Sequence, residues 1–393
     1  MSEPERHTLD LARRLVAFDT SSGRPNRPLI DFVAGLLSDA GADVEVIPDA
    51  GDEGKANLIA TLGPRDAPGI VVSGHTDVVP ADPASWTTPP FEPDVRAGRL
   101  YGRGSADMKS FIAVALAVLP RLSPAHWSNR AVIALSFDEE IGCVGAPQMM
   151  PRLRELLPGI RGCIIGEPTS MQVAFAHKGK LGVRVVVEGV EAHSGYPEQG
   201  VNAIDITAEL IAHVRRLGVA ARVDGPFDER FTPPYTSVQT GLVSGGSALN
   251  TVPARCSFDF EVRPLPGLDP RRYVEAVEDF FAHHLPPDLA DADARIEIEA
   301  TRSYPGLLEE NRAFIDWVAG LADWPGEPAT LGFGSEAGLF AQLGVPAVVC
   351  GPGNIGQAHR PDEYIELEQL ARGEAFFHRL GDALRSPLPT FAA

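Results

Sequence analysis

Five short segments of this chain set histidines or carboxylates beside glycines: Gly74-His75-Thr76-Asp77, the loop 102–107 that ends in Asp107, Asp138-Glu139-Glu140, Gly166-Glu167-Pro168 and Gly356-Gln357-Ala358-His359. Singly each is a weak signal, because a histidine that follows a strand is more often part of a structural hydrogen bond than a metal ligand. Together they supply two imidazoles and three or more carboxylates, a donor set suited to a pair of divalent cations that share one carboxylate. The charges of two such ions, three carboxylates and one hydroxide cancel. A metal pair polarises a carbonyl and generates hydroxide near neutral pH, which amide hydrolysis requires. Glu139 and Glu140 are consecutive, so both serve one site only where the strand before them has ended. Gly142 supports a turn there. One of the two can then bind metal while the other stays free as a general base. Asp77, two residues after His75, is placed to hold the second ring nitrogen.

These segments act together only if one framework delivers them to one place. Apolar residues recur at helical spacing over 8–20 and 27–40, and runs at 44–47, 56–61 and 69–72 read as strands. An apolar helix is expected over 111–122, followed by strands over 131–137 and 162–165. This alternation predicts an α/β layer with a mixed, largely parallel sheet flanked by helices. The chemical segments follow the predicted strands 69–72, 131–137, 162–165 and 347–350, and such sheets place their ligands at the carboxyl ends of strands. Beyond His177 the pattern changes: strands at 181–187, 237–242, 255–262 and 295–300 and helices at 202–217 and 270–285 give the β-α-β-β-α-β order of a ferredoxin-like α+β unit. The expected organisation is a catalytic domain built from 1–178 and 305–393, interrupted by an inserted domain at 179–304.

A chain of 393 residues exceeds the length at which one core usually stops growing, which agrees with two domains. Its 53 acidic against 34 basic residues leave a formal charge of -19, which repels phosphate backbones and anionic lipid surfaces. Nucleic acid and membrane are therefore excluded as partners. The start MSEPERHTLD lacks the basic and apolar regions of a secretory signal, and no segment reaches the ~18 apolar residues of a membrane span, so a cytoplasmic location is expected. Cys143, Cys163, Cys256 and Cys350 are far apart and form no CxxC pair; they read as buried thiols.

The stretches GHTDVVP (74–80), YGRGSADMKS (101–110), SFDEEIGCVGA (136–146), GEPTS (166–170), AHSGYP (192–197) and QAHRPDEY (357–364) span nearly the whole chain. In content and order they resemble the dinuclear zinc exopeptidases and deacylases, a family of desuccinylases, carboxypeptidases, aminoacylases and deacetylases. The resemblance implies one metal held by His75 and Glu167, a second by Glu140 and His359, and Asp107 bridging both. It gives Glu139 the general-base position and sets Asp77 behind His75. The implied cofactors are two divalent ions, zinc with cobalt as a substitute. The resemblance further implies a cis peptide at Asp107-Met108 and a homodimer formed through the inserted domain, which acts as a lid. His193, which alone reads as a surface loop histidine, would then reach the partner subunit's active site and stabilise the developing oxyanion.

Shorter motifs, AHKGK (176–180), FTPPY (231–235), VRPLPG (262–267) and GPGNIGQAHRPDEY (351–364), are most similar to the branch of the family that deacetylates N-acetylornithine. The desuccinylase branch carries an arginine in a Ser-Asp-Gly-Arg-Phe stretch for the distal carboxylate of its acyl group. Here the stretch is Ser335-Glu336-Ala337-Gly338-Leu339-Phe340, with Leu339 in the arginine's place. The expected substrate is a small-molecule N-acyl amino acid with a short acyl group and a cationic side chain, N-acetyl-L-ornithine first. Acetylcitrulline, a broad range of N-acyl amino acids and succinyl-diaminopimelate are the alternatives. Arg263, Asn250 and Lys178 are candidates for the α-carboxylate, arginine through its bidentate fork. Glu336 is the candidate partner for the δ-ammonium group; its competing reading is a cap on the helix that follows.

Overall fold

The strands Ala56–Leu62, Gly69–His75 and Arg130–Ser136 are buried at every position, as expected of near-continuous apolar runs covered on both faces. The computed structural model describes residues 3–156, 158–290 and 293–391 and divides them into two compact units. The first holds the chain through Ala176, Leu307–Leu331 and the residues from Ser335 onward. Its main sheet runs in the order Asp43–Pro48, Ala56–Leu62, Arg130–Ser136, Gly69–His75, Ile160–Ile165, Ala347–Val349, Ala174–His177, Leu307–Leu308. The central pairings are parallel: Gly69–His75 against both Arg130–Ser136 and Ile160–Ile165, and Ala347–Val349 against Ile160–Ile165. The outer strands pair antiparallel.

Helix Lys109–Val118 is buried at all ten of its positions. A helix apolar all round belongs inside, and this one packs in the same core as Leu15, Ile30, Ile133, Phe376 and Phe377. It stops four residues short of the expected end because Pro120 cannot supply an amide to the ladder; residues 119–122 continue as a tighter turn. Gly166, beside Glu167, has no room for a side chain, since a Cβ there would lie 2.1 Å from the Phe111 ring of this helix.

The second unit comprises 177–306 with 332–334. Four antiparallel strands stand in the order Ser237–Gly245, Arg255–Arg263, Lys180–Glu188, Arg295–Tyr304. Alternate residues of Arg255–Arg263 are buried, and Phe258 and Phe260 pack with Leu210, Val214 and Val277 of helices Ala203–Asp224 and Arg271–His283. The first of these helices runs seven residues past the expected end at 217, to Asp224. Gly218 lies inside this helix, where it allows close packing: a Cβ there would sit 2.9 Å from the carbonyl oxygen of Val238. Among the described residues no helix is long and apolar enough to cross a membrane.

Candidate metal centre

Parallel strands bring their carboxyl ends to one edge of the sheet, and the chemical segments begin there. His75 closes the strand Gly69–His75 and lies level with Ser136, the last residue of Arg130–Ser136. Glu139 and Glu140 follow that second strand through a turn in which Asp138 has φ +51°. Glu167 lies two residues beyond Ile160–Ile165, and the chain leaving Ala347–Val349 leads to His359 at φ +59°. Asp107 enters from the loop ahead of the buried helix, and the Asp107-Met108 peptide is cis.

His75 Nε2 is 3.1 Å from Asp107 Oδ1 and 3.9 Å from Glu167 Oε1. His359 Nε2 is 3.0 Å from Glu140 Oε1 and 3.4 Å from Asp107 Oδ2. The two oxygens of Asp107 therefore face different imidazoles. Two groups of three donors have all their ligand atoms within 4.8 Å of one another: His75, Glu139 and Glu167, and His75, Asp107 and Glu140. Glu139 is thus as near as any ligand candidate, and proximity alone does not separate a base from a ligand. Its contacts do differ from its neighbour's: Glu139 Oε1 accepts from the Cys143 thiol at 3.3 Å, whereas Glu140 faces His359.

Asp77 lies behind these groups. Its Oδ1 accepts the N–H of Glu139 at 2.9 Å, and its Oδ2 accepts the N–H of Glu140 at 3.3 Å and the Ser22 hydroxyl at 2.6 Å. His75 Nδ1 is nearer to the Asp77 backbone oxygen, 2.9 Å, than to its carboxylate, 3.5 Å. One residue thus fixes both the imidazole and the turn that carries the two glutamates. Ser22 and Cys143 are partners that sequence reasoning missed. Cys143 sits inside the motif that contains Glu139, but Ser22 is distant in the chain and follows no motif.

Four carboxyl groups crowd this centre. Burial pushes Glu139 up to about 8; nearby His75 opposes the shift, while Glu140, Asp77 and Glu336 add to it. Burial also drives Glu167 well above the usual carboxylate range, with Asp107 adding to the rise. Asp107 resists burial because its hydrogen bonds to His359 and His75 hold it low. Those with Asp107 and Glu140 raise His359 to about 10. Glu167 Oε1 is buried with no hydrogen-bond partner among the described residues. A buried oxygen of this kind amid clustered anions and imidazoles fits divalent metal ions.

The remaining candidates divide. Glu336 is 1% exposed, and its oxygens accept from Ser73 Oγ at 2.5 Å and Ser136 Oγ at 2.7 Å. Its side chain makes no capping bond to the helix that follows; Ser335 Oγ accepts the N–H of Ala337 instead. His193, Asn250, Lys178 and Arg263 belong to the second unit. His193 and Asn250 are exposed and adjacent, with Ala192–His193 paired to Thr251–Val252 and the Asn250 carbonyl accepting from Ser194 N–H. The Lys178 ammonium donates to the carbonyls of Pro233 and Tyr235, and the Arg263 guanidinium donates to Glu261 and Tyr304.

The family model described as peptidase family M20/M25/M40 matches residues 71–382. The chain is 37% identical over 371 residues to an acetylornithine deacetylase of Myxococcus xanthus, covering 93% of this chain and 94% of that one. It is 35% identical over 369 residues to an acetylornithine deacetylase of Proteus mirabilis, covering 91% and 92%. Its fold matches an M20 family metallo-carboxypeptidase from Sulfolobus solfataricus with a TM-score of 0.76 at 17% identity, over 96% of this chain and 99% of that one. With its cluster of histidines and buried carboxylates at one sheet edge, this chain belongs to peptidase family M20/M25/M40 and is a metal-dependent amidohydrolase.

Proposed function

We propose that this enzyme releases acetate from N-acetyl-L-ornithine, giving L-ornithine, at a site that holds two divalent metal ions, zinc first and cobalt as a substitute. The observation that carries the substrate is the 37% identity to an acetylornithine deacetylase over 93% of the chain. Leu339, where desuccinylases present an arginine, supports a short uncharged acyl group. His75 and Glu167 hold one ion, Glu140 and His359 the other, and Asp107 serves both; its two oxygens facing two imidazoles support that reading. When bound, the ions supply Lewis acidity toward the amide carbonyl and the attacking water.

Glu139 is the general base. Its carboxylate accepts a proton from water and returns it to the leaving amine. Asp77 keeps the His75 ring and the Glu139 backbone in place. Arg263, Asn250 and Lys178 are the candidate carboxylate contacts; to bind substrate, Arg263 would have to share its guanidinium with Glu261 and Tyr304, and Lys178 its ammonium with two carbonyls. The reading is tested by supplying N-acetylornithine, N-acetylcitrulline and N-succinyl-diaminopimelate at equal concentration to zinc-loaded protein, with N-acetylornithine expected to be hydrolysed fastest.

A homodimer formed through the second unit belongs to this reading. Strand Ser237–Gly245 is the edge of its sheet, and Leu242 and Val243 there are 65% and 63% exposed, as is Val223 of helix Ala203–Asp224 at 63%. Exposed apolar side chains on an unpaired edge support a covered surface. In such a dimer His193 reaches the partner's centre and donates to the oxygen that gains charge. Mixing inactive His193→Ala and Glu139→Gln proteins, with subunit exchange demonstrated separately, should restore about a quarter of wild-type sites by statistical pairing in a two-fold dimer. Complete exchange with no recovered activity would count against donation in trans.

A further inference from the structure

The loop 102–107 delivers Asp107, yet the group that fixes this loop comes from the segment after His359. Glu363 is 1% exposed. Its Oε1 accepts the backbone N–H groups of Ala106 at 2.8 Å and Asp107 at 3.1 Å, and its Oε2 accepts from Arg103 Nη1 at 2.6 Å. The Glu363 carbonyl also accepts the N–H of Gly102 at 2.9 Å. Arg103 is itself only 3% exposed. Stability alone gives a poor reason for such a pair, because desolvation offsets much of its attraction and apolar side chains of similar volume often serve as well. What the pair does achieve is geometric. It ties the loop bearing Asp107 to the segment bearing His359, whose Nε2 lies 3.4 Å from Asp107 Oδ2.

We infer that Glu363, held by Arg103, is a positioning residue for metal binding through Asp107. It anchors the backbone at Ala106 and Asp107, so that the Asp107 carboxylate keeps one oxygen toward each imidazole. The inference rests on the proposed role of Asp107 as the shared ligand. Outlying partners of metal ligands commonly govern affinity by ~10–100-fold, and Glu363 belongs in that range.

Two double variants isolate the acceptor from the charge. Arg103→Met/Glu363→Gln retains a side-chain carbonyl for both backbone N–H groups, while Arg103→Met/Glu363→Met retains volume and no acceptor. Each is titrated with cobalt(II), read by visible absorption, and with zinc in competition against a chelator; cooperative melting confirms that the protein is folded. The methionine pair should lose ~10–100-fold in affinity for at least one of the two metal equivalents, and the glutamine variant should stay within ~3-fold of wild type. Wild-type affinities in both variants, with only the melting temperature lowered, would overturn the inference. Should neither double variant fold, the same titration of Glu363→Ala, which removes the acceptor, decides: a lost or weakened equivalent supports the inference and wild-type affinities overturn it. If wild-type protein itself binds fewer than two equivalents, the two-metal reading fails and the inference fails with it, an outcome distinct from the others.

Discussion

Glu139→Gln should lower the rate of amide hydrolysis by at least ~100-fold while the protein keeps its metal, because loss of a general acid-base group typically costs two to four orders of magnitude. The glutamine keeps the volume and an oxygen for the Cys143 thiol, which donates to Glu139 Oε1 at 3.3 Å. It cannot take a proton from water. The neighbouring Glu140→Gln should behave differently, since Glu140 faces His359 at 3.0 Å and its loss should appear first as weakened metal binding. Metal content measured beside turnover separates the two roles. If Glu139→Gln protein loses metal while Glu140→Gln protein retains it, the roles are exchanged.

Removal of the metals should have a larger effect still. Chelation followed by desalting should reduce hydrolysis by at least ~1000-fold, since the ions contribute several kcal/mol to the barrier and each 1.36 kcal/mol is tenfold in rate. Zinc or cobalt added back should restore activity. The arrangement of charge gives the reason: Asp107, Glu139, Glu140 and Glu167 are gathered on two histidines, with Glu167 Oε1 lacking any hydrogen-bond partner among the described residues. Full turnover by protein stripped of metal would remove the two-metal account and leave the cluster without a function.

The centre was legible in the sequence for a definite reason. His75, Glu139, Glu140, Glu167 and His359 each follow a buried strand or a glycine-marked turn, and in a parallel sheet such positions share one edge. The support around them was less legible. Ser22 reaches Asp77 from a loop with no pattern of its own, and Glu363 meets Ala106 and Asp107 across 257 and 256 residues of chain. The surroundings of Glu336 were not legible either, because its burial depends on Ser73 and Ser136 presenting hydroxyls from adjacent strands. That fact belongs to register and side-chain direction. The small sheet of Asp94–Arg96, Arg99–Tyr101 and Tyr364–Glu366 escaped because three-residue strands carry too short a pattern to read.

The most direct test of the account is the initial rate of ornithine release from N-acetyl-L-ornithine by zinc-loaded protein, set beside the rates on N-acetylcitrulline and N-succinyl-diaminopimelate under identical conditions. The account predicts efficient, metal-dependent release of ornithine and acetate, with a clear preference for N-acetylornithine over both competitors. No hydrolysis of N-acetylornithine by metal-replete protein, or faster turnover of the succinylated substrate, would contradict it.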